Sequence, residues 1–387
     1  MHPVLTELGR IAADPDGYAR AWKDATGGKV VGTFAMHFPA EIIQAAGALP
    51  VLLQASEEPI SIGHAGIYPF FCSYTRSLVD QNAAGNFDYV DSILFGDHCV
   101  QLLSAADIVR MQKPERHVGF YQLIPAISDN WSFENAERTL RRAIEDIEGQ
   151  LGVSVSEDDL SAAIRVFNRS RTLVRKIYDL RREGCIAITS REMQHIVKSG
   201  MVMDKARHGD MLETLIADLE GVPAPRREGV PVFLSGHMCH APKLDLLDLI
   251  EDCGGIVVDD DLYHGFRYVS LNAAETGDPV KALTSWYLDR NTAVPCPTRL
   301  DPKTDWDTWL LDRARASGAQ GLVILLPKFC EPHYFFYPRI RKTFDDAGFF
   351  NLLLETEHES KAGENVRTRL ESFIELVKRQ SAHKQFA

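Results

Sequence analysis

The sequence predicts an α/β fold: two Rossmann-like lobes, each built on a parallel sheet, with a helical segment between them. Three observations support this prediction. Short apolar runs alternate with helical patterns near both ends of the chain, which is typical of βαβ units and parallel sheets. The central stretch is rich in charge, has apolar residues at helical spacing and lacks a strand pattern. A proline-containing run then precedes the second region of alternation.

These changes in pattern divide the 387 residues into three parts. We expect an N-terminal α/β lobe over residues 1–129, a helical segment over 130–225 and a C-terminal α/β lobe over 226–387. A chain of this length is too long for one compact core, so two or three domains are the expected arrangement.

In the N-terminal lobe, the first helical stretch is expected to end at Thr26, because Gly27 and Gly28 form a natural stop. A helix is predicted to start at Pro39, since proline is favoured in the first turn of a helix. Another helix is predicted over 100–109. The strands of this lobe are predicted at 29–34, 49–53, 89–95 and 117–123.

The rest of the chain follows the same reasoning. Heptad-like patterns at 136–150 and 160–182 predict helices in the central segment. The C-terminal lobe has predicted strands at 230–234, 255–258, 321–326 and 351–355, and predicted helices at 243–253, 334–347 and 364–379. Cys99 and Cys330 each lie four residues after a predicted strand, so they occupy equivalent positions, although two short matches do not establish a repeat.

Composition excludes several classes of function. A formal net charge of −12 argues against nucleic acid and acidic membrane surfaces as partners, because both attract a cationic face. The start of the chain lacks the apolar core of a signal peptide, and no apolar run is long enough to span a bilayer. We therefore expect a soluble, cytoplasmic protein.

The cysteines are the strongest candidates for a site. There are seven, and an odd number in a large cytoplasmic chain favours free thiols or metal ligands over disulfides. Cys99, Cys239 and Cys330 lie just past predicted strands, where ligands of α/β sheets bind, and Cys72 precedes a helix. Thiolates from these separate loops could meet between the lobes around an iron–sulfur cluster.

The spacing of the cysteines also permits a simpler interpretation. Buried cysteine often acts as a small apolar side chain, and the sequence contains no C-x-x-C pair. We interpret Cys185, Cys253 and Cys296 as packing residues, and we keep Cys239 as a reserve ligand.

Five stretches of the sequence stand out: VGTFAMHFPAEIIQAAGALPVLL from Val31, PFFCSYTRS around Cys72, FDYVDSILFGDHC ending at Cys99, VFLSGHMCHAPKLDLLDLIEDCGGIVVDDD from Val232, and GLVILLPKFCEP around Cys330. These stretches, and their order along the chain, resemble the benzoyl-CoA reductase and 2-hydroxyacyl-CoA dehydratase family. The resemblance implies that Cys72, Cys99 and Cys330 bind a 4Fe-4S cluster, with one iron left without a protein thiolate.

The resemblance also implies partners. Family members pair with a homologous, larger subunit, act on an acyl-CoA and receive electrons from a separate iron–sulfur activator that hydrolyses ATP. The sequence is consistent with this division of labour, because it contains neither a G-x-x-x-x-G-K-[ST] phosphate loop nor a G-x-G-x-x-G fingerprint.

Within the family, the chain most resembles the smaller, cluster-bearing C-type subunit of ATP-dependent benzoyl-CoA reductase. The features that carry this likeness are the run Val257–Asp261, Arg267 and the total length. The motif Pro295-Cys296-Pro297-Thr298 also lacks the second cysteine of the Pro-Cys-Pro-Cys motif found in many dehydratases. We therefore expect a subunit that passes single electrons to an aryl-CoA thioester and so helps to reduce the aromatic ring.

Three alternatives remain open at this point. The chain could be a subunit of a 2-hydroxyacyl-CoA dehydratase that acts through a ketyl radical, or a homodimeric relative with a larger iron–sulfur cluster. It could also be a cluster-free α/β module that binds a CoA ester or a nucleotide and uses its cysteines only for packing.

Six further residues are candidates because of their neighbours in the sequence. Those beside the cysteines could donate a proton or tune the cluster: His98, His333 and Glu331. Those in and after the acidic run could contact substrate or the CoA phosphates: Asp260, His264 and Arg267. The structural alternative for these residues is hydrogen bonding or capping within their own loops.

Overall fold

The computed structural model describes residues 2–34, 38–224, 227–236, 239–299, 301–302, 304–358 and 363–385. Strands β1 (Val30–Phe34), β2 (Leu49–Leu52), β3 (Ser92–Gly96) and β4 (His117–Tyr121) form a parallel sheet in the order β2-β1-β3-β4. Strands β5 (Val230–Gly236), β6 (Gly255–Asp260), β7 (Gly321–Pro327) and β8 (Phe350–Thr356) form a second in the order β6-β5-β7-β8. The prediction of two parallel-sheet lobes is therefore confirmed, and the lobes share one strand order.

Helices lie in each of the three predicted parts of the chain. The N-terminal lobe contains α1 (Pro3–Ala13), α2 (Pro15–Thr26), α3 (Glu41–Ala45), α4 (Ser73–Ala83) and α5 (Val100–Gln112), with a 3-10 turn at Ile62–Ala65. The central segment contains α6 (Ser132–Leu151), α7 (Glu157–Arg182), α8 (Ser190–Gly200) and α9 (Lys205–Leu219). The C-terminal lobe contains α10 (Leu244–Asp252), α11 (Phe266–Val269), α12 (Pro279–Ala293), α13 (Trp306–Ala316), α14 (Glu331–Asp346) and α15 (Glu364–Gln385).

Within the described ranges, every helix is too short or too polar to cross a bilayer.

Local sequence signals explain several of these boundaries. Helix α2 ends as expected, with Gly27 in the left-handed conformation at a φ of 66°. Helix α7 begins with a capping box in which the side chains of Ser156 and Asp159 each accept a hydrogen bond from the backbone N–H of the other. Every residue of β1, β3 and β7 is buried, as is usual for parallel strands covered on both faces.

Several helix starts differ from the sequence prediction, and two of the differences involve a proline. The helix expected from Pro39 begins at Glu41, because Pro39 forms a turn in which its carbonyl accepts a hydrogen bond from the N–H of Ile42. The helix expected from 334 begins at Glu331, because Pro332 lies in the first turn, where its missing N–H costs nothing. The second difference changes the setting of Cys330, which becomes the N-cap residue of α14.

The central helices share a core with the N-terminal lobe. Side chains of the first sheet, such as Val30 and Ile93, belong to the same buried cluster as Ile177 of α7, Val197 of α8 and Leu212 of α9. The helical segment therefore packs directly on this lobe. The domain boundaries after 129 and 225 stay a prediction, and residues 225 and 226 lie outside the described residues.

A buried ion pair ties α3 to α7. Arg171 Nη2 lies 2.6 Å from Glu41 Oε1, and the two side chains are 7% and 0% exposed. The guanidinium also lies over the ring of Trp286 in α12, 4.6 Å from its centroid. Because a buried carboxylate is stable only with a partner, Arg171 is needed to keep Glu41 in this position.

We expect Arg171→Met to lower the free energy of unfolding by roughly 3–5 kcal/mol, because it leaves the Glu41 carboxylate buried without its cation. The double variant with Glu41→Gln should recover part of this loss, as measured by urea denaturation. The exposed Arg341–Asp345 pair is the control, and Arg341→Met should cost less than about 1 kcal/mol. Equal losses at both sites would show that burial does not set the strength of the Glu41 pair.

Candidate functional site

Four cysteines line one cavity of about 490 Å³. Cys99, Cys239 and Cys330 each lie three residues after the end of a strand, namely β3, β5 and β7. Cys72 comes from the loop before α4. Because β3 belongs to one sheet and β5 and β7 to the other, the carboxyl ends of both sheets face this cavity, which is where α/β proteins bind ligands.

The cavity lies at the point where the strand order of the second sheet reverses. After β5 the chain moves outward to β6, whereas β7 lies on the opposite side of β5. Cys239 and Cys330 follow these two adjacent strands and so flank the crevice between them. In the first sheet, Cys99 follows β3, and the loop after its neighbour β1 contains residues 35–37, which lie outside the described residues.

Three of the four cysteines are N-cap residues. Cys72 precedes α4, Cys99 precedes α5 and Cys330 precedes α14, and each of these helices has at least eleven residues. The N-terminus of a helix carries a partial positive charge and N–H groups free of intrahelical bonds. Three such ends at one cavity favour a negatively charged occupant.

Burial has the opposite effect on the thiols themselves. It raises the pKa of Cys72, and together with the nearby Cys72 charge it raises the pKa of Cys99 to about 12. The pKa values of Cys239 and Cys330 are also raised, first by burial and then by charge on neighbouring cysteines. The metal-free protein therefore holds neutral thiols at pH 7, and a metal that binds here must displace their protons.

Gln101 connects the three cysteine loops. Its Oε1 accepts a hydrogen bond from the N–H of Cys72 at 2.7 Å, and its Nε2 donates to the carbonyl of Phe329 at 2.9 Å. Gln101 itself is the second residue of α5, directly after the Cys99 cap. One side chain thus holds the backbone beside Cys72 and Cys330 to the helix that follows Cys99.

The loop before Cys330 needs such support. Phe329 has a φ of 64°, the left-handed region that residues with a Cβ rarely adopt. Its carbonyl accepts from both Gln101 and the N–H of Glu331. These hydrogen bonds stabilise a backbone conformation that costs roughly 1–3 kcal/mol by itself.

Two predicted proton donors lie in the wall behind the thiols. His98 lines the cavity and is 4% exposed, and burial together with the charges of Arg299 and Arg267 holds its pKa well below the usual range. Its imidazole is therefore neutral at pH 7. His333 is 2% exposed, and its Nδ1 lies 3.0 Å from Cys330 Sγ.

Glu331, the third residue proposed for proton chemistry, lies on the exposed rim of the same cavity. The catalytic roles of His98, His333 and Glu331 stay a prediction.

The residues proposed to contact substrate lie elsewhere. Asp260 is buried, accepts hydrogen bonds from Tyr178 Oη at 2.7 Å and from the N–H groups of Leu262 and Phe266, and therefore shapes its own loop. Arg267 is also buried, and its Nη1 donates hydrogen bonds to the carbonyls of Val294 and Pro295, which precede the cavity-lining residue Pro297.

His264 lines a second cavity of about 110 Å³ between the lobes, together with Lys198, Lys243 and His240. None of Asp260, His264 and Arg267 is among the described residues that line the cysteine cavity. Their part in substrate binding stays a prediction.

Sequence reasoning did not single out two features of this site. Gln101 was missed because its contacts are with residues far away in the chain, and only its place directly after the Cys99 cap could have drawn attention to it. Pro297 and Thr298 also line the cavity, although the Pro-Cys-Pro-Thr motif was used only to compare subfamilies. Cys239, kept in reserve, lies at the cavity with the three preferred cysteines. Cys185, interpreted as a packing residue, is exposed just after the end of α7, so that interpretation is wrong.

The donor set fits an iron–sulfur cluster. Thiolates are the usual ligands of such clusters, and the positive helix ends would offset a cluster's negative charge. Within the described ranges, no group of three or more His, Cys, Asp or Glu side chains is placed to hold a metal ion. A polynuclear cluster needs wider spacing than a single ion, because each thiolate binds a different iron.

A protein-family model described as "2-hydroxyglutaryl-CoA dehydratase, D-component" matches residues 35–377. The C-type subunit of the benzoyl-CoA reductase of Thauera aromatica is 27% identical over 317 residues, which is 81% of this chain and 82% of that protein. The beta subunit of the (R)-phenyllactyl-CoA dehydratase of Clostridium sporogenes is 25% identical over 372 residues, 95% and 96% of the two chains. The beta subunit of the (R)-2-hydroxyglutaryl-CoA dehydratase of Acidaminococcus fermentans is 22% identical over 382 residues, 97% and 99% of the two chains.

Two substitutions of Gln101 should separate its two hydrogen bonds. In Gln101→Ala, the amides of Cys72 and Cys330 should both exchange hydrogen faster, because both loops lose their tie. In Gln101→Glu, the retained Oε1 should keep Cys72 protected, whereas the Cys330 loop should loosen because the donor to Phe329 is gone. Leu103→Ala, an exposed change in the same helix, is the control. Unchanged exchange in Gln101→Ala would contradict this role.

Asp260 should make stability depend on pH. Burial and the neighbouring Asp259 charge raise its pKa from 3.8 to about 7. The folded protein therefore keeps a proton that the unfolded chain releases between about pH 4 and 7, so the free energy of unfolding falls as pH rises through this window.

Asp260→Asn should remove this dependence, which amounts to about 1.4 kcal/mol per pH unit at most. The measurement is urea denaturation at pH 5, 6 and 7. The exposed Asp24→Asn change should leave the slope of unfolding free energy against pH as it is in the unmodified protein. If Asp260→Asn keeps the wild-type slope of unfolding free energy against pH, the Asp260 carboxyl is ionised in the folded state.

Proposed function

This chain belongs to the family of the 2-hydroxyglutaryl-CoA dehydratase D-component, and we propose that it is the iron–sulfur subunit of an ATP-dependent benzoyl-CoA (aryl-CoA) reductase. In this role it passes single electrons to an acyl-CoA thioester so that the aromatic ring is reduced. One observation carries the proposal: Cys72, Cys99 and Cys330, which are far apart in the chain, line a single cavity at the carboxyl ends of both sheets.

We propose that these three thiolates hold a 4Fe-4S cluster. When bound, the cluster would supply one-electron transfer at low potential. The helix N-termini at the three cysteines stabilise negative charge in the cavity, which offsets the cost of burying several thiolates. Gln101 keeps the three loops at a fixed separation.

The rim of the cavity supports contact with another protein. Two large apolar side chains that line the cavity are exposed, Val100 at 63% and Phe335 at 83%. Apolar side chains grouped at the mouth of a site usually mark an interaction surface. The relatives are named as single subunits of larger enzymes, and we propose that a homologous, larger subunit likewise pairs with this chain.

The two paired subunits must then receive their electrons from another protein. The chain contains no G-x-x-x-x-G-K-[ST] phosphate loop. We therefore propose that a separate iron–sulfur activator hydrolyses ATP and donates the electrons.

Residues near the thiols have proposed roles that do not require proton transfer. The 3.0 Å approach of His333 Nδ1 to Cys330 Sγ suits a hydrogen bond that tunes the charge on this sulfur. Neutral His98 suits a hydrogen-bond donor more than a general acid, since its pKa is held low. His264, Lys198 and Lys243 share the second cavity, and the two lysines could bind an anionic part of the acyl-CoA.

A dehydratase subunit is the second candidate function. The dehydratase beta subunits of Clostridium sporogenes and Acidaminococcus fermentans match 95% and 97% of this chain, against 81% for the reductase subunit. Two observations favour the reductase function. The reductase subunit is 27% identical to this chain. Thr298 also stands at the position of the second cysteine in the Pro-Cys-Pro-Cys motif. Assay of the assembled enzyme distinguishes them, because only a dehydratase eliminates water from a 2-hydroxyacyl-CoA.

Replacement of the cluster cysteines tests the metal proposal. Cys72→Ser, Cys99→Ser and Cys330→Ser, made one at a time, should each lower the bound iron and sulfide by half or more after anaerobic reconstitution, because a thiolate ligand is lost. Cys185→Ser and Cys253→Ser are the controls and should keep the wild-type content. Wild-type iron in all three cluster variants would rule out the assignment.

A further inference from the structure

We propose that the second cavity, which lies between the lobes, binds a short-chain 2-hydroxy acid whose carboxylate meets Lys198 and whose hydroxyl donates a hydrogen bond to Gln54. The ligand is a free acid of about three to five carbons, because a cavity of about 150 Å³ holds benzene and this one measures about 110 Å³. The inference goes beyond the proposed function and does not depend on the cluster.

The cavity lies at the carboxyl ends of strands from both sheets. Gln54 comes shortly after β2, the loop that contains His240 follows β5, and Thr356 ends β8. Lys198 comes from α8 in the helical segment. Ligands of α/β proteins bind outside the carboxyl ends of the strands, so the position of this cavity is that of a binding site.

Lys198 supplies the positive charge that an anion requires. Within the described ranges, its ammonium group has neither an ion-pair partner nor a hydrogen-bond acceptor. Burial lowers the pKa of Lys198 from its usual value, and the charge of Glu57 opposes this shift. A carboxylate bound beside the ammonium group would offset the cost of burying it. The N-terminus of α10, whose first residue Leu244 also lines the cavity, adds partial positive charge.

The acidic side chains at this cavity do not neutralise the lysine. Glu57, Asp245 and Glu355 are exposed, so water and dissolved salt screen their charges. Glu357 is paired with Arg76, and 2.6 Å separates Oε1 of the carboxylate from Nη2 of the guanidinium. The interior of the cavity therefore favours an anion.

Gln54 supplies an acceptor that lacks a donor. The residue is 8% exposed, and its Nε2 lies 3.3 Å from the carbonyl oxygen of Lys198. A carbonyl oxygen only accepts, so the amide nitrogen of Gln54 must face it, which leaves Oε1 for another partner. In the part of the chain that the structure describes, this Oε1 is buried without a hydrogen bond. Because a buried unpaired acceptor is costly, the site favours a ligand that carries a donor.

These two features together define the ligand class. Gln54 contacts the backbone of Lys198, so both groups belong to one wall of the cavity. An acid with a donor on the carbon next to its carboxylate can meet both groups. A hydroxyl suits this position better than an amino group, which would place a second ammonium beside the lysine. Leu246, Leu354 and Val366 provide apolar contact for a short hydrocarbon chain.

Contacts between the lobes keep the cavity in one shape. His358 Nε2 lies 2.6 Å from the carbonyl oxygen of Glu58, which follows β2. His240 Nε2 lies 3.3 Å from Ser73 Oγ at the start of α4. Loops of the second sheet are thus joined to the N-terminal lobe on two sides. A preformed site loses less conformational entropy on binding, which favours affinity for a small ligand.

Calorimetric titration of the full-length chain with lactate and propionate tests this inference, because the two acids differ only in the 2-hydroxyl group. Wild type should bind lactate saturably at millimolar concentrations, and about fivefold more tightly than propionate, since only lactate can donate to Gln54. Gln54→Leu should remove this preference. Lys198→Met should weaken the binding of both acids by roughly tenfold or more, because the carboxylate loses its cation.

Lys342→Met is the matched control, since this lysine side chain is 75% exposed on α14 and is not among the described residues that line the cavity. It should bind both acids as wild type does, and a loss equal to that of Lys198→Met would overturn the inference. Wild type decides the matter if the cavity variants do not fold. Equal affinity for lactate and propionate, or no saturable binding of lactate, would overturn the inference.

Competition separates this inference from the proposed function. Neither CoA nor inorganic phosphate at the concentration of lactate should displace it, because CoA is too large for the cavity and phosphate has no hydrocarbon chain for the apolar wall. Displacement by CoA would assign the cavity to the acyl-CoA, which overturns this inference and leaves the proposed function intact. Displacement by phosphate would show that the site accepts any anion, which overturns it as well. Wild-type iron in all three cluster-cysteine variants would overturn the proposed function and leave this site unaffected.

Discussion

The site depends on one geometric constraint, which is that the carboxyl ends of two separate parallel sheets face a common cavity. Each sheet places its binding loops at one edge, because all of its strands run in the same direction. Cys99 comes from the first sheet, and Cys239 and Cys330 come from the second. The cysteines of both lobes can line one cavity only while the carboxyl ends of the two sheets face each other. The contacts that hold the lobes together therefore also maintain the site.

Two opposing electrostatic effects act on the thiols in this cavity. Burial and mutual repulsion favour the protonated form, as the raised pKa of Cys99 shows. The N-termini of α4, α5 and α14 favour negative charge at the same place. Metal-free protein is consequently neutral here, and a cation removes the repulsion between thiolates. The arrangement suits the binding of a positively charged metal group.

Buried polar contacts keep the walls of the cavity rigid. Asp261 accepts hydrogen bonds from Trp306 Nε1 at 2.8 Å and from Arg267, and Arg267 also holds the backbone that leads to Pro297. The ring of Trp306 packs against His333, which contacts Cys330. The acidic run that sequence reasoning associated with substrate therefore also supports the wall behind the thiols, because the side chains of Asp259, Asp260 and Asp261 are buried.

The sequence by itself determined the fold class, the strands of both sheets and the family, because hydrophobic periodicity, helix-ending glycines and cysteine motifs are local signals. It also singled out Cys72, Cys99 and Cys330 as candidate metal ligands. Only the tertiary structure decided that these thiols share a cavity, that each caps a helix and that Cys239 lies with them. Gln101 shows the reason: its hydrogen bonds join residues far apart in the chain, and such contacts depend on how the two lobes pack, which no local pattern records.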